Sequence, residues 1–268
     1  MGLQVNNLSG LAAQRQVDKS TARVAKGIEK LGSGLRINRA ADDAAGLAIT
    51  EGFRASIRQT NQELQGLQSG INAVRTADAG LSRQGGAVGR IRELAVQAST
   101  GTLTDDQRAA INQEAQQLLQ EVDTAGQETE FNGTRLLDGS TNAITLDAEG
   151  QNQVNLNEST SNSLGLSGVD LGTQGGAQAA IDALDNAASQ LTQNRAELGA
   201  QENRLAFAAE QRETSAANEQ EAESRIRDLD IARAAVDQVR NQVLQQASVS
   251  ALIQGNLASE GARTLLAG

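Results

Sequence analysis

The stretch LQSGINAVRTADAGLSRQGGAVGRIRELA, residues 67–95, decides the fold because an apolar residue recurs in it at every seventh position. The residues at those positions are Leu67, Val74, Leu81, Val88 and Ala95. This spacing places the side chains along one face of an α-helix. A strip this narrow is buried only against a partner helix. With its flanks the pattern runs from near residue 50 to residue 98, about 45 residues, and predicts a helix on the order of 65 Å long.

Further segments on both sides carry the same periodicity. Gly101 stands where the first long helix is expected to stop, and Thr104 with Gln107 fits a capping box that starts the next one. Leucine then recurs every seven residues from Leu184 to Leu205. The seam positions of the two end segments are Val24, Ile28, Leu31, Leu35, Leu229, Val236, Val243 and Leu257. Because these end seams are of similar length, the economical arrangement pairs the N- and C-terminal helices.

The character of the sequence changes between residues 128 and 176. Asn132-Gly133, flanked by short β-like stretches, is the turn signal of a hairpin. A second pair of alternating stretches surrounds Glu149-Gly150 and predicts a second hairpin. Residues 157–176 are rich in Ser, Gly, Asn and Thr and are expected to form a surface loop. Two hairpins are too little sheet to be stable alone, so they should lean on the helices.

Together these patterns predict a mainly α fold. We expect an elongated rod of long antiparallel helices, with paired N- and C-terminal coiled-coil helices and a small β-hairpin region in mid-chain. The chain contains no Pro, so its helices can run without interruption. Its only aromatic residues are three Phe, whereas a compact globule of 268 residues normally fills its core with aromatics. The abundant Leu, Ile, Val and Ala suit thin seams between helices.

The net charge of −10 argues against general binding of nucleic acid. Residues 1–40 carry a local balance of +5 and contain all three lysines of the chain. A solvated polar helix face is the simpler interpretation of this basic arm, and a role in docking or export is the alternative. No apolar run approaches the length of a membrane span, and no basic leader with an apolar run and cleavage site precedes the helices. We therefore expect neither membrane insertion nor a cleaved signal peptide.

A catalytic interpretation finds little support in the composition. The chain has neither His nor Cys, so the commonest proton shuttle and the strongest side-chain nucleophile are missing. Asp42 and Asp43 point in different directions on a helix, which favours a structural or N-capping use over a metal site. Gly32 and Gly34 are expected to permit a bend in the chain rather than to hold phosphate. We expect no enzyme activity, no catalytic or metal-binding residues and no cofactor.

Four blocks of sequence carry a resemblance to a known family. They are LGSGLRIN with ADDAAGLAI at residues 31–38 and 41–49, RIRELAVQA at 90–98, RAELGAQENRL at 195–205 and EAESRIRD at 221–228. These blocks resemble the bacterial flagellins and stand in that family's order. The resemblance covers roughly residues 1–137 and 181–268. One departure is Ser259-Glu260, where the C-termini of the family often carry Pro.

The resemblance implies self-assembly into the flagellar filament, a structural role in motility. Residues 1–42 with 229–268 would form a paired-helix inner domain, and residues 43–228 a helical rod domain that includes the region 128–176. It looks like a minimal flagellin without large outer domains. The resemblance further implies export by the flagellar type III system to the extracellular filament. The implied partners are other copies of the chain, a flagellar export chaperone, and the filament cap and junction proteins.

The resemblance also suggests a recognition site. Arg90, Leu94 and Glu114 match positions through which many flagellins are bound by the flagellin-sensing Toll-like receptor of animals. Arg90 and Leu94 are four residues apart and share a helix face. Arg204, on the returning helix, would join them. The alternative is that these residues serve packing of the subunit in its filament, and the two roles are compatible.

Our hypothesis for assembly is that the end seams are poorly buried in the monomer and become ordered against neighbouring copies. Two other functions are considered. A hook–filament junction protein would share the terminal pattern, although the block at residues 42–49 favours a flagellin. A cytoplasmic helical-bundle scaffold would explain the heptads and the charge but not the four blocks.

Overall fold

A computed structural model describes residues 8–147 and 150–267 of the chain. The described residues form long helices and two small hairpins, which confirms the mainly α class. The helices are α1 (Leu8–Ser33), α2 (Ala44–Ala98), α3 (Asp105–Glu128), α4 (Gln174–Arg227) and α5 (Ile231–Ala267). The strands are β1 (Glu130–Phe131), β2 (Thr134–Arg135), β3 (Ala143–Thr145) and β4 (Gln153–Asn155). No helix within the described ranges is both long and apolar enough to cross a membrane.

The chain divides into two compact units. The terminal unit consists of Met1–Ile57 and Ala217–Gly268, and the central unit is Arg58–Ala216. The helices α2 and α4 contribute residues to both units.

The hydrophobic core lies in the central unit. The heptad residues of α2 from Leu67 to Ala95 are all buried, as are those of α4 from Leu184 to Leu205. These apolar strips meet because neither helix can bury its strip alone. The core is flanked by ion pairs that join α2 to α4, namely Arg75 with Glu202, Asp78 with Arg195 and Arg92 with Asp185. The order of the partners shows that α2 and α4 run antiparallel.

The start of α3 has the predicted capping box. The side chain of Thr104 accepts a hydrogen bond from the backbone N–H of Gln107 at 3.3 Å. The backbone N–H of Thr104 in turn donates to the side-chain oxygen of Gln107 at 3.0 Å. Two of the N–H groups that a helix start leaves without partners are thereby satisfied, which fixes where α3 begins.

Both predicted hairpins are present. β1 pairs with β2 in an antiparallel manner across Asn132 and Gly133, whose φ angles of 51° and 78° belong to a turn that suits a two-residue hairpin loop. β3 pairs with β4, with Ile144 opposite Val154. Part of the second predicted turn, including Glu149, lies outside the described residues. Val154 is fully buried, so the second hairpin leans on the helical core as expected.

The segment 157–173 differs from the expected surface loop. It forms neither helix nor strand, but Leu164, Leu166, Val169 and Leu171 are buried in the central core. Its polar residues suggested exposure, whereas the four apolar side chains cover the surface that α2, α3 and α4 leave open. Local polarity does not reveal this role, because burial depends on what the segment lies against.

Buried polar contacts hold this segment in place. The side chain of Gln84 donates to the backbone oxygens of Val122 and Ser159 and accepts a hydrogen bond from the hydroxyl of Ser159. Asp123 accepts hydrogen bonds from the backbone and the hydroxyl of Ser161. The buried amide of Gln84 is thus fully paired, and it links α2, α3 and the segment.

In the terminal unit, α1 and α5 pair side by side, which confirms the predicted pairing of the terminal helices. The side chain of Gln245 donates to the hydroxyl of Thr21 at 2.9 Å, and Gln238 packs on Gly27. Since later residues of α1 meet earlier residues of α5, the two helices are antiparallel. Their backbones approach closely, with Cα atoms within 8 Å of one another.

Hydrogen bonds join the break between α1 and α2 to the break between α4 and α5. Gly34 has a φ of 71°, a conformation that favours glycine, and it ends α1. The backbone N–H of Arg36 then donates to Arg227 at 2.7 Å, and the N–H of Leu229 donates to Gly34 at 3.0 Å. The chain therefore leaves α1 and enters α5 at the same place, next to the bridge between Leu35 and Asp228.

Candidate assembly surface on the C-terminal helix

The seam between α1 and α5 contains many small and polar residues beside a few partly buried apolar ones, Val17, Val24, Leu31 and Leu252. On α1 the most buried positions are Gly10 and Ser20, with Gly27 partly buried. On α5 the side chain of Gln238 is buried, and Asn241 is partly buried. Glycine and serine permit close approach of the two backbones, but they bury little apolar surface. Dehydration of apolar groups therefore contributes less to this pairing in the monomer than to the fully buried core of the central unit.

Half of the predicted end-seam residues are exposed and do not lie in this seam. Val236, Val243 and Leu257 are 58–61% exposed, and Ile28 is 56% exposed. The other four, Val24, Leu31, Leu35 and Leu229, are partly buried. The expectation that the apolar heptads of α1 and α5 face one another is thus corrected for α5. Their role as a seam in an assembled filament is a separate hypothesis.

The geometry of a helix explains the difference. Val236, Val243 and Leu257 each follow by two residues a position that is partly buried in the terminal unit, namely Ala234, Asn241 and Gly255. Two residues turn an α-helix by about 200°. The apolar positions therefore point away from α1, on the opposite side of α5.

These residues belong to a continuous exposed surface, here called the α5 stripe. Its members are Val236, Val239, Val243, Ile253 and Leu257, which are 56–61% exposed. Residues 241–259 of α5 also contain no Asp, Glu, Lys or Arg. An exposed apolar surface that continues into an uncharged helical segment is the kind of feature that marks a protein-binding surface.

Ile253 was missed by the sequence-based selection. It lies three residues after Ser250, which occupies the seven-residue register between Val243 and Leu257. A heptad has two apolar positions, three or four residues apart. A search for the second of these positions would have found Ile253. The uncharged run at residues 241–259 was a further signal, because a solvated helix face normally carries charges.

The loop between α1 and α2 is held by two carboxylates with separate structural tasks. Asp42 pairs with Lys26 at 2.6 Å and accepts hydrogen bonds from the backbone N–H groups of Asn38 and Arg39. The hydrogen bond from Lys26 and the two N–H groups lower the pKa of Asp42 to about 2. Asp43 caps α2 by accepting from the N–H of Gly46 at 2.9 Å. Both contacts agree with the structural use expected from the sequence.

The candidate receptor residues lie in the central unit, and the structure brings together only Arg90 and Glu114. Arg90 pairs with Glu93 at 2.8 Å and with Glu114 at 3.1 Å, so the contact to Glu114 joins α2 to α3. These carboxylates raise the pKa of Arg90. Leu94 is only 2% exposed and belongs to the core, so its side chain is not available to a receptor in the folded monomer.

Arg204 lies far from that pair. Its guanidinium donates to the backbone oxygen of Gln153 in β4 at 2.7 Å. Because Arg75 on α2 faces Glu202 on α4, Arg204 lies close to the level of Arg75. At 1.5 Å per residue this places Arg204 roughly 25 Å from Arg90 along the helix.

The described residues contain no group of three or more His, Cys, Asp or Glu side chains placed to hold a metal ion. The polar groups of these residues instead join helices, cap them or fix loops. The fold is that of a helical protein with an exposed apolar stripe on α5.

Comparison with known proteins identifies the family. The model of the bacterial flagellin N-terminal helical region matches residues 5–142, and that of the C-terminal helical region matches residues 181–260. The chain therefore belongs to the bacterial flagellins, the family of structural subunits that assemble into the flagellar filament.

Individual relatives agree with this assignment. A flagellin of Halalkalibacterium halodurans is 38% identical, over 97% of this chain and 98% of its own. The flagellar filament 30.7 kDa core protein of Treponema maltophilum is 37% identical with the same coverage. The crystal structure of Bacillus cereus flagellin matches with a TM-score of 0.50 and 29% identity, over 55% of this chain and 88% of that one.

Proposed function

We propose that the α5 stripe is the surface through which this subunit joins its neighbours in the filament. The observation that carries the proposal is the exposure of Val236, Val243 and Leu257 on the side of α5 that faces away from α1. In a lone subunit these apolar groups remain in water. Packing of a neighbouring copy against them would remove them from water without disturbing the pair of α1 and α5.

The energetics support such a surface. Burial of the remaining apolar area of five stripe residues contributes about 1 kcal/mol each, or roughly 5 kcal/mol per subunit. Association entropy and ordering of side chains oppose this gain and are of similar size. A single contact of this kind is therefore weak. In a helical polymer each subunit contacts several neighbours. The contacts together hold a subunit in place, although one such contact alone does not.

The test is a pair of charges placed on the stripe. We expect Val243→Asp with Leu257→Asp to abolish polymerisation, because two carboxylates would have to be buried between copies. The helical content of the monomer, measured by circular dichroism, should be unchanged. Polymer is measured by sedimentation and by negative-stain microscopy after salt addition.

The matched control is Gln242→Asp with Ala251→Asp. These residues are exposed on the flanks of α5, and the change adds the same two charges. We expect this control to polymerise with at most a modest loss. Normal filaments from the stripe variant, or equal loss in both variants, would contradict the proposal.

The domain roles and the route out of the cell are further parts of the proposal. Residues 1–42 with 229–268 would form the inner domain of the filament, and residues 43–228 its outer helical layer. Export through the flagellar type III system, a chaperone on the C-terminal helix, and contacts with cap and junction proteins would follow from family membership. The role is structural rather than enzymatic, and the sequence supports this because it contains neither His nor Cys.

A second proposed function is recognition of the monomer by the flagellin-sensing Toll-like receptor. The supporting observation is that Arg90 and Glu114 lie side by side and are each about half exposed. Reporter activation by monomeric protein should fall with Arg90→Ala but not with Arg83→Ala. Arg83 is an exposed arginine on the same helix and serves as the control. Equal signals from both variants, or no signal from the unaltered protein, would contradict recognition at this site.

A further inference from the structure

A cavity of about 440 Å³ lies in the terminal unit between α1 and the start of α5. Five cationic side chains line it, from Arg23, Lys26, Lys30, Arg36 and Arg233. Three carboxylates also line it, from Asp228, Asp230 and Asp237. The cavity is therefore positively charged on balance, although the chain as a whole carries −10.

The carboxylates of the cavity already have partners. Asp228 accepts from the hydroxyl of Ser224, and Asp230 accepts from the backbone N–H of Arg233. Asp237 forms an ion pair with Arg240 at 3.7 Å. The carboxylates keep their charge, so five cations and three anions give the cavity a balance of +2.

Two of the five cations are also engaged. Lys26 pairs with Asp42, and the guanidinium of Arg36 donates to the backbone oxygen of Ile226 at 2.6 Å. The side chains of Arg23, Lys30 and Arg233 have no hydrogen-bond or ion-pair partner among the described residues. Every charged group of the cavity that lacks a partner is thus a cation.

An amide side chain beside these cations also lacks a partner. Gln238 is 7% exposed, and neither its Oε1 nor its Nε2 forms a hydrogen bond within the described part of the chain. It packs against Gly27, where an added Cβ would lie 2.0 Å from Oε1. Burial of an amide without a partner is costly. A small rotation of the side chain into the adjoining cavity would allow it to donate to an acceptor there.

We propose that this cavity is a socket for a carboxylate side chain from the central unit of a neighbouring copy. Arg23, Lys30 and Arg233 would supply the charge, and Nε2 of Gln238 a further hydrogen-bond donor. The inference rests on the proposed function, because it requires two copies of the chain in contact. The socket adds a polar contact that fixes the position of one subunit relative to the next. The apolar α5 stripe specifies this position only weakly.

The charge distribution favours the central unit as the source of the carboxylate. Residues 58–216 contain 21 acidic and 10 basic residues, whereas the rest of the chain carries 12 acidic and 13 basic residues. Several exposed acids of the central unit have side chains without a partner in the described residues; among them are Asp106, Glu121, Glu128, Asp182, Glu210 and Glu213. An approaching copy thus offers many free carboxylates to a cavity in which free cations converge.

The lysines of the chain provide a direct test. A carbodiimide joins a lysine to a carboxylate in contact with it as an amide. Filaments assembled from an equal mixture of ¹⁴N- and ¹⁵N-labelled protein would be treated and digested, and the linked peptides identified by mass spectrometry. We expect Lys30 to be linked to an acidic residue within 58–216, with mixed isotopes that show a link between copies. Unpolymerised protein should lack this product.

The other two lysines serve as controls. Lys26 should be linked to Asp42 of its own copy in both samples, because the two are 2.6 Å apart. Lys19 lies on the exposed surface of α1 outside the cavity and should give no single preferred partner. A Lys30 that is linked only within its own copy, or not at all in filaments that show the Lys26 product, would overturn the socket.

A pair of variants gives an independent measurement. Arg23→Gln with Arg233→Gln should raise the critical concentration for polymerisation roughly fivefold at low salt, and less at high salt. The control, Arg15→Gln with Lys19→Gln, removes two exposed cations from α1 outside the cavity. It should change the critical concentration less than twofold. Equal effects of the two pairs would overturn the socket. Failure of the unaltered chain to polymerise would instead overturn the proposed function itself.

Discussion

At the scale of single residues, glycines decide how closely the elements approach. Gly66 on α2 faces the second hairpin, and an added Cβ would lie 2.3 Å from the backbone oxygen of Leu146. Gly85, on the same helix, has no atom within 4 Å of that position. Both are helical glycines, but only the first is required by its surroundings.

The two glycines should respond in opposite ways to substitution by alanine. Gly66→Ala forces the backbone of the hairpin to shift, and we expect a loss of about 1–3 kcal/mol in the free energy of unfolding. Gly85→Ala improves helix propensity in open space, and we expect a gain of about 1 kcal/mol. Chemical denaturation of the monomer measures both. A similar change in both variants would show that the close contact at Gly66 is not present in solution.

The carboxylate of Asp42 makes a pH-dependent contribution to the terminal unit. Its pKa is lowered from 3.8 to about 2, chiefly by the hydrogen bond from Lys26. A lowered pKa means that the stabilisation is present above a pH of about 4 and is lost as the pH falls through 2. We expect Asp42→Asn to lower the stability of the terminal unit at pH 6, with a difference from the unaltered chain that shrinks towards pH 2.

The control for this titration is Asp18→Asn. Asp18 is an exposed acid on α1 whose side chain has no partner in the described structure. Its replacement removes no contact, so the stability of the terminal unit at pH 6 should be unchanged. If the Asp42 variant shows the same difference from the unaltered chain at pH 6 and pH 2, the pairing with Lys26 is not the source of the stabilisation.

At the scale of elements, two kinds of helix pair occur in one chain. In the central unit, α2 and α4 meet through buried Leu, Val and Ile. In the terminal unit, α1 and α5 meet through a seam rich in Gly, Ser, Gln and Asn, and α5 keeps Val236, Val243 and Leu257 exposed. The first arrangement buries apolar surface within the monomer, and the second leaves apolar surface exposed.

This contrast predicts different protection of the two pairs from hydrogen exchange. In the monomer we expect amides of α1 and α5 to exchange at least about tenfold faster than amides of α2 and α4 between residues 67 and 205, because less apolar burial opposes local opening. In filaments the amides of α5 should become protected. Slow exchange of α5 in the monomer, equal to that in filaments, would contradict a surface completed by neighbours.

At the scale of the whole molecule, the core and the proposed association surface lie in different units. The buried cluster extends from Leu67 to Leu205, entirely within residues 58–216. The α5 stripe belongs to the terminal unit. The residues that keep the central unit folded are therefore not those proposed to join the copies.

A fragment of residues 58–216 should consequently fold without the terminal unit. We expect a helical monomer with a cooperative thermal transition by circular dichroism, since the whole buried cluster is retained. The fragment should not polymerise under conditions in which the full chain forms filaments. Gradual melting without a cooperative transition would show that the core depends on the terminal residues.

Much of this architecture follows from local sequence signals. The heptads of α2 and α4, the capping box at Thr104 and the turn at Asn132 each depend on residues that are close in the chain, and the structure has all of them. Such features are predictable because helix propensity, capping and turn chemistry act over a few residues.

The sequence by itself determined that the chain is helical, where α2 stops and α3 starts, and which residues recur every seven positions. Only the tertiary structure decided which side of α5 meets α1, and that the segment 157–173 is buried. A helix such as α5 carries two strips with the same period, one small and polar and the other apolar, and periodicity alone cannot select between them. The choice depends on how closely the partner backbone approaches and on which surfaces remain to be covered. Both are properties of residues that are distant in the sequence.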